Sequence, residues 1–118
     1  MLLVDDDPLQ LSALQRWARD IGFETFLAKS GEEAIALLNR IRPAIVISDF
    51  NLPGINGLEV LKHAKTFFPA ARVILHTGAA KDPLVENPVP GVQLLPKPSS
   101  FAVFFKIFQS VVHRAEAA

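Results

Sequence analysis

Three aspartates in a row, Asp5-Asp6-Asp7, close a short apolar run, Leu2-Leu3-Val4. A fourth, Asp49, stands where a second run, Ala44-Ile45-Val46-Ile47, gives way to the turn Phe50-Asn51-Leu52-Pro53-Gly54. A third run, Val73-Ile74-Leu75, ends at His76-Thr77-Gly78, and a fourth, Val92 to Leu95, ends at Pro96-Lys97-Pro98. Carboxylates gathered without a cation repel and raise one another's pKa values. A divalent ion relieves that repulsion, and oxygen donors alone favour a hard cation such as Mg²⁺. Mg²⁺ keeps several waters, so one or two carboxylates and a backbone carbonyl suffice, leaving positions for phosphoryl oxygens. Phosphoryl transfer needs positioning and neutralisation of charge. Thr77 can donate a hydroxyl hydrogen bond to such an oxygen, and Lys97 can provide a point charge. Each residue alone has a plainer reading: an acid capping a strand, a structural threonine, a Lys-Pro dipeptide in an ordinary loop. Their placement at successive strand ends carries the weight.

The elements that must position them alternate along the chain. Pro8 suits the first position of a helix, with Asp7 as N-cap and Gln10 reaching back in a capping box. Leu11, Leu14, Ala18 and Ile21 recur at helical spacing with Trp17 beside them, and Gly22 ends the helix. Phe23 to Ala28 reads as a second strand. Ser30 and Glu33 form another capping box, opening a helix with Ala34, Ile35, Leu38 and Ile41 on its inner face. Pro43 ends it and admits the central strand, Ala44 to Ile47. Asn56-Gly57 precedes a helix carrying Leu58, Leu61, Ala64 and Phe68, closed by Pro69. Between the fourth and fifth strands the rhythm breaks: residues 80–91 contain Pro83, Pro88 and Pro90. Proline costs about 3 kcal/mol inside a helix, so a full helix is not expected there. Ser99 or Ser100 caps a last helix bearing Phe101, Phe104, Phe105, Phe108, Val111 and Val112.

Strands alternating with helices predict an α/β domain with a parallel sheet and right-handed crossovers. The flavodoxin-like doubly wound order 2-1-3-4-5 is the expectation for these five strands. It places the switch point between the first and third strands, so the two acidic turns converge at one sheet edge.

Composition narrows the function classes. The chain has 118 residues, which predicts one domain over 1–118 with a single core. Twelve acidic residues balance twelve basic ones, so no global field points to nucleic acid or an anionic membrane. No stretch approaches membrane-spanning length, and the amino terminus has no basic n-region of a signal peptide. The absence of cysteine removes disulfides, thiolate metal sites and cysteine catalysis, and suits a cytoplasmic, reducing location. His63 and His113 lack partner spacing and are expected at exposed or helix-end positions. For His76, beside Thr77, a buried, hydrogen-bonded structural role is expected.

Four segments, in this order, resemble the receiver domain of a two-component response regulator: Leu-Leu-Val-Asp-Asp-Asp-Pro, Ile-Ser-Asp-Phe-Asn-Leu-Pro-Gly-Ile-Asn-Gly, Ile-Leu-His-Thr-Gly and Leu-Leu-Pro-Lys-Pro. The resemblance covers essentially the whole chain, and the set is far more specific than any member. It implies that Asp49 is a phosphoacceptor attacking the phosphohistidine of a sensor histidine kinase or histidine phosphotransfer protein. It implies Mg²⁺ bound directly by Asp6 and Asp49 and through a water by Asp5, with the Asn51 backbone carbonyl as a further ligand. Asp7 ranks behind these, since N-capping already explains it. Thr77 and Lys97 would each bond a phosphoryl oxygen, and the Lys97-Pro98 peptide would be cis. Small Ala79 would leave the site open, giving no exceptional phosphoryl lifetime. The implied activity is that of a switch and not of an enzyme acting on an external metabolite.

Two features depart from the family pattern. Leu94 stands where receivers commonly carry the tyrosine or phenylalanine that turns inward when the threonine moves. The proline-broken segment replaces the helix between the fourth and fifth strands, shortened or absent here. The last helix is apolar around much of its circumference. Its rings either fill the space of the missing helix or form a homodimer or partner interface. Two other classes compete: a phosphorylation-independent adaptor or dimerisation module, and a Mg²⁺-dependent aspartyl phosphatase. The phosphatase reading lacks the spaced second aspartate and a cap insertion.

Overall fold

Strands that are apolar on both faces need helices on both sides, and that is what surrounds them here. The computed structural model describes residues 1–78, 90–98 and 100–117, with side chains as far as residue 109. The elements are β1 (Leu2–Val4), α1 (Pro8–Asp20), β2 (Phe26–Ala28), α2 (Gly31–Ile41), β3 (Ile45–Ser48), α3 (Gly57–Phe67), β4 (Arg72–Thr77), β5 (Val92–Pro96) and α4 (Phe101–Ala117). The sheet order is β2-β1-β3-β4-β5, parallel throughout, as the alternating pattern predicts. The proline-rich segment and Ala79 lie outside the described residues. No helix among the described residues is long and apolar enough to cross a membrane.

Alternation along each strand divides the core in two. Leu2, Val4, Val46, Val73 and Leu75 pack with Ala34 and Leu38 of α2 and with Leu58, Leu61 and Ala64 of α3. Leu3, Ile45, Ile47 and Ile74 face the other way, onto Leu11, Leu14 and Ala18 of α1 and Phe104 and Phe108 of α4. On α2, Leu37 and not Ile35 joins Ile41 at the margin of the core.

Several local expectations change for identifiable reasons. The second strand is shorter than Phe23 to Ala28. Phe23 donates its N–H to the Ala18 carbonyl near the end of α1, while Phe26 N–H reaches the Met1 carbonyl, just ahead of β1. Asp7 does cap α1, accepting the Leu9 N–H at 2.9 Å. Its own N–H is taken by Asp5 Oδ1 at 2.9 Å, so the capping box with Gln10 does not form. Ser30 accepts the Glu33 N–H at 3.1 Å, but Glu33 reaches back to Lys29 N–H. His63, expected at an exposed or helix-end position, is half-buried within the second half of α3, its ring centroid 4.7 Å from that of Phe67. The His113 side chain lies outside those described.

The last helix is capped at Ser100, whose Oγ accepts the Val103 N–H at 3.3 Å. Phe104 and Phe108 are fully buried, with ring centroids 4.5 Å apart, and Trp17 lies 5.5 Å from Phe104. Those two rings belong to the α1 side of the sheet. Phe101, Val103 and Phe105 remain 40–45% exposed. Phe104→Ala should therefore destabilise the fold by about 3–5 kcal/mol, as aromatic truncation in a packed core does. Phe105→Ala should cost under about 1 kcal/mol, having much less area to lose. Urea unfolding of the two variants would check the contrast; equal losses would refute this burial pattern.

Candidate functional site

Each chemistry-bearing residue sits where a strand ends, and the parallel ladders set how the ends line up. Val4 pairs with Ser48, Ser48 with Leu75, and Thr77 with Pro96. The ladder continues one residue into the turns: Asp5 N–H bonds the Ala28 carbonyl at 3.1 Å, Asp49 N–H the Val4 carbonyl at 2.8 Å, and Lys97 N–H the Thr77 carbonyl at 2.9 Å. Main-chain bonds thus position Asp5, Asp49 and Lys97 before any side chain interacts.

The side chains then converge. Carboxylate oxygens of Asp5, Asp6 and Asp49 lie within 4.8 Å of one another. Lys97 Nζ stands 3.2 Å from Asp5 Oδ2 and 3.3 Å from Asp49 Oδ2. Asp5 is 1% exposed and Asp49 8%, whereas Asp6 is open to solvent. The remaining Asp5 oxygen accepts the Asp7 N–H, so both of its oxygens are engaged. Asp7 lies outside the carboxylate group and acts as the cap of α1. Asn51 is exposed, and its backbone N–H acts to hold the Asp49 carboxyl pKa down against the effect of burial. Thr77 ends β4 and is buried, two residues beyond the partner of Ser48. The Lys97-Pro98 peptide is cis.

Two residues that flank the Asp49 turn, and were given no role of their own from the sequence, shape this geometry. The Ser48 hydroxyl donates to the Asp49 carbonyl at 2.9 Å. Gly57, at the first turn of α3, packs so closely that a Cβ would collide with the Asp49 carbonyl oxygen, and it donates its N–H to the Phe50 carbonyl at 2.9 Å. A glycine opening a helix after an Asn cap was the available hint, but the contact is tertiary.

Electrostatically the cluster is unbalanced: three carboxylates face one ammonium. Burial raises the Asp49 pKa above the ordinary carboxylate value; Lys97 opposes the rise, and Asp5 adds to it. Burial acts to lower the Lys97 pKa, yet Asp49 and Asp5 together outweigh it and hold the ammonium above its usual range. A divalent cation beside Asp6 would offset the surplus negative charge, and the all-oxygen donor set suits a hard ion. His76 lies 2% exposed at the end of β4, its pKa pushed down to about 4, first by burial and then by the Lys97 ammonium, with Asp5 opposing.

Comparison with known proteins gives a consistent picture. The family described as response regulator receiver domain matches residues 1–106. Sporulation initiation phosphotransferase F of Bacillus subtilis is 30% identical over 87 residues, covering 74% of this chain and 70% of that protein. The regulator of RpoS from Escherichia coli is 35% identical over 65 residues, 55% of this chain but 19% of that protein. The chain thus spans only a small part of some curated relatives. Among solved structures, the CheX-CheY-BeF3-Mg²⁺ complex from Borrelia burgdorferi superposes with a TM-score of 0.83 at 28% identity, covering 94% of this chain and 87% of that one.

The depressed His76 pKa has a measurable consequence. Between the unfolded value near 6.5 and the folded value of about 4, the unfolded chain binds a proton that the folded chain refuses. Stability therefore falls as pH drops through that window, by about 2–3 kcal/mol from this group. Asp49, with its pKa raised, contributes the opposite slope as it protonates. Denaturant unfolding of wild type and His76→Gln across that range isolates the histidine: the variant should lose the acid-side decline. Parallel curves for the two proteins would show that His76 does not titrate this way.

Proposed function

The chain belongs to the response regulator receiver family of two-component signalling, and from that premise we propose that Asp49 is its phosphoacceptor. An Asp49 carboxylate oxygen attacks the phosphorus of a phosphohistidine on a sensor histidine kinase or histidine phosphotransfer protein. A P–O bond forms, the P–N bond breaks, and the imidazole leaves, so the transfer needs no external general base on the aspartate. The observation that supports this most is the Lys97 ammonium at 3.2 and 3.3 Å from Asp5 and Asp49. Once Asp49 is esterified its carboxylate charge gives way to the negative charge of the phosphoryl oxygens, and Lys97 can turn to one of them while keeping its contact with Asp5. Thr77, at the adjoining strand end, is assigned the hydroxyl bond to a second phosphoryl oxygen. Asp6 and Asp49 are assigned as direct ligands of Mg²⁺, with the Asn51 carbonyl. Asp5, buried and with both oxygens already engaged, suits contact through a water. Bound Mg²⁺ would neutralise charge on the transferred group and offset the repulsion among the carboxylates.

The switched surface we assign to the apolar flank of α4, where Phe101, Val103 and Phe105 keep 40–45% of their surface exposed. This flank borders β5, which carries Leu94 at the family's aromatic position, half-buried against the core on the α2–α3 side. A leucine there has no hydroxyl or ring edge to signal with, so readout must come from movement of β5 and α4 themselves. A homodimer through this flank is one form the partner could take. We assign no nucleic-acid contact and no membrane contact to this domain, and a cytoplasmic location fits it.

Incubation with Mg²⁺ and acetyl phosphate, followed by intact-mass measurement, tests the phosphoacceptor. Wild type should take up one phosphate and Asp49→Asn none; an adduct retained in the variant, or none in either, would refute the assignment. Sedimentation with Mg²⁺ and beryllofluoride tests the dimer. Association should appear in wild type and disappear in Phe105→Asp; a monomer at high concentration would leave a different protein as the occupant of that face.

A further inference from the structure

Glu32 lies outside the acidic cluster, yet its side chain ends on the loop that joins β3 to α3. It is the second residue of α2, and its Oε1 accepts the Ile55 N–H at 3.2 Å, across 23 positions of sequence. Two glycines let this happen. A Cβ on Gly31 would stand 2.6 Å from the Ile55 carbonyl oxygen and 2.9 Å from its Cβ, so the start of α2 touches the loop directly. Gly54 has φ +74°, and a Cβ there would stand 2.5 Å from Glu32 Oε1, in space the carboxylate needs. The loop is also closed at its base, where Gly57 N–H reaches the Phe50 carbonyl, and at its exit, where Asn56 caps α3 by accepting the Glu59 N–H at 3.0 Å.

Between the base and the Glu32 contact lies Asn51, exposed to solvent two residues beyond Asp49. A carbonyl on an exposed turn must be ordered before it can serve a metal with strict octahedral demands. Ordering that turn in advance removes an entropic cost from binding. We propose that Glu32 is a positioning residue, a clamp from α2 that holds the loop over residues 51–55 so that the Asn51 carbonyl is aimed at the cation. The proposal deepens the receiver reading and rests on it. Its physical content is a hydrogen bond and not a charge: Glu32 acts through Oε1 as an acceptor for Ile55.

Mg²⁺ titration of the metal-free full chain, followed by amide NMR shifts of Asp49 and Asn51, tests it with Glu32→Ala, Glu32→Gln and Glu33→Ala. Glu32→Ala should weaken Mg²⁺ binding roughly three- to tenfold, the worth of one such bond. It should also speed hydrogen exchange at the Ile55 amide before any metal is added. Glu32→Gln keeps an acceptor oxygen and should bind Mg²⁺ nearly as wild type does. Glu33→Ala removes the same charge one residue away and should do likewise. If Glu32→Gln or Glu33→Ala weakens binding as much as Glu32→Ala, or if Glu32→Ala changes nothing, the clamp is overturned while the receiver reading stands. A wild-type chain that binds no Mg²⁺ would overturn both.

Discussion

One ammonium placed between two nearly inaccessible carboxylates is the constraint around which the upper edge of the sheet is built. Asp5 and Asp49 come from neighbouring strands, β1 and β3, and Lys97 reaches both from the far end of β5. Buried charges are tolerated when paired and hydrogen-bonded, and costly otherwise. The pairing here is incomplete, since Asp6 adds a third carboxylate to the same few ångströms. The Asp49 pKa is raised chiefly by burial, which outweighs the adjacent lysine, with Asp5 adding to the rise. A site left short of positive charge, with one carboxylate open to solvent, has a donor set that suits a hard cation.

Such an arrangement depends on a rigid frame. The ladder bonds that carry the Asp5, Asp49 and Lys97 amides onto neighbouring strands mean that these residues do not rely on flexible loops for their placement. Beneath them the two halves of the core, separated by the sheet, fix β3 from both faces. Gly57 closes the frame from the side, because a helix can approach the Asp49 carbonyl this closely only through a residue without a side chain. Strain or slack at that contact would reach the carboxylate directly.

Beyond β5 the last helix, α4, carries phenylalanines on more than one face. Phe104 and Phe108 are structural, locked against Trp17 and Phe23, while Phe101 and Phe105 flank them nearer solvent. The helix therefore serves two roles at once, anchoring one half of the core and presenting an apolar flank. Its tie to β4 through Arg72, which donates to the Ile107 carbonyl at 2.8 Å, links that flank to the strand that ends at Thr77.

Much of this was legible from residue types and spacing. Short unbroken apolar runs mark the strands, caps and Pro-Gly punctuation mark the helices, and their alternation implies the parallel order found. The identities of Asp5, Asp6, Asp49, Thr77 and Lys97 as strand-end groups follow from the same pattern, since a strand stops being apolar where it leaves the core. What the linear order could not decide is which partners meet. Even locally a choice was missed: the Asp7 N–H goes to the Asp5 carboxylate two residues back and not to Gln10. Gly57 looked like a helix start, and Glu32 had no reading at all, until packing set them against Asp49 and Ile55. Local propensity and hydrophobic period act over a few residues and are written in the sequence. Contacts between residues 23 or 92 positions apart exist only once the sheet has brought their strands and helices together, and those were decided by the tertiary structure.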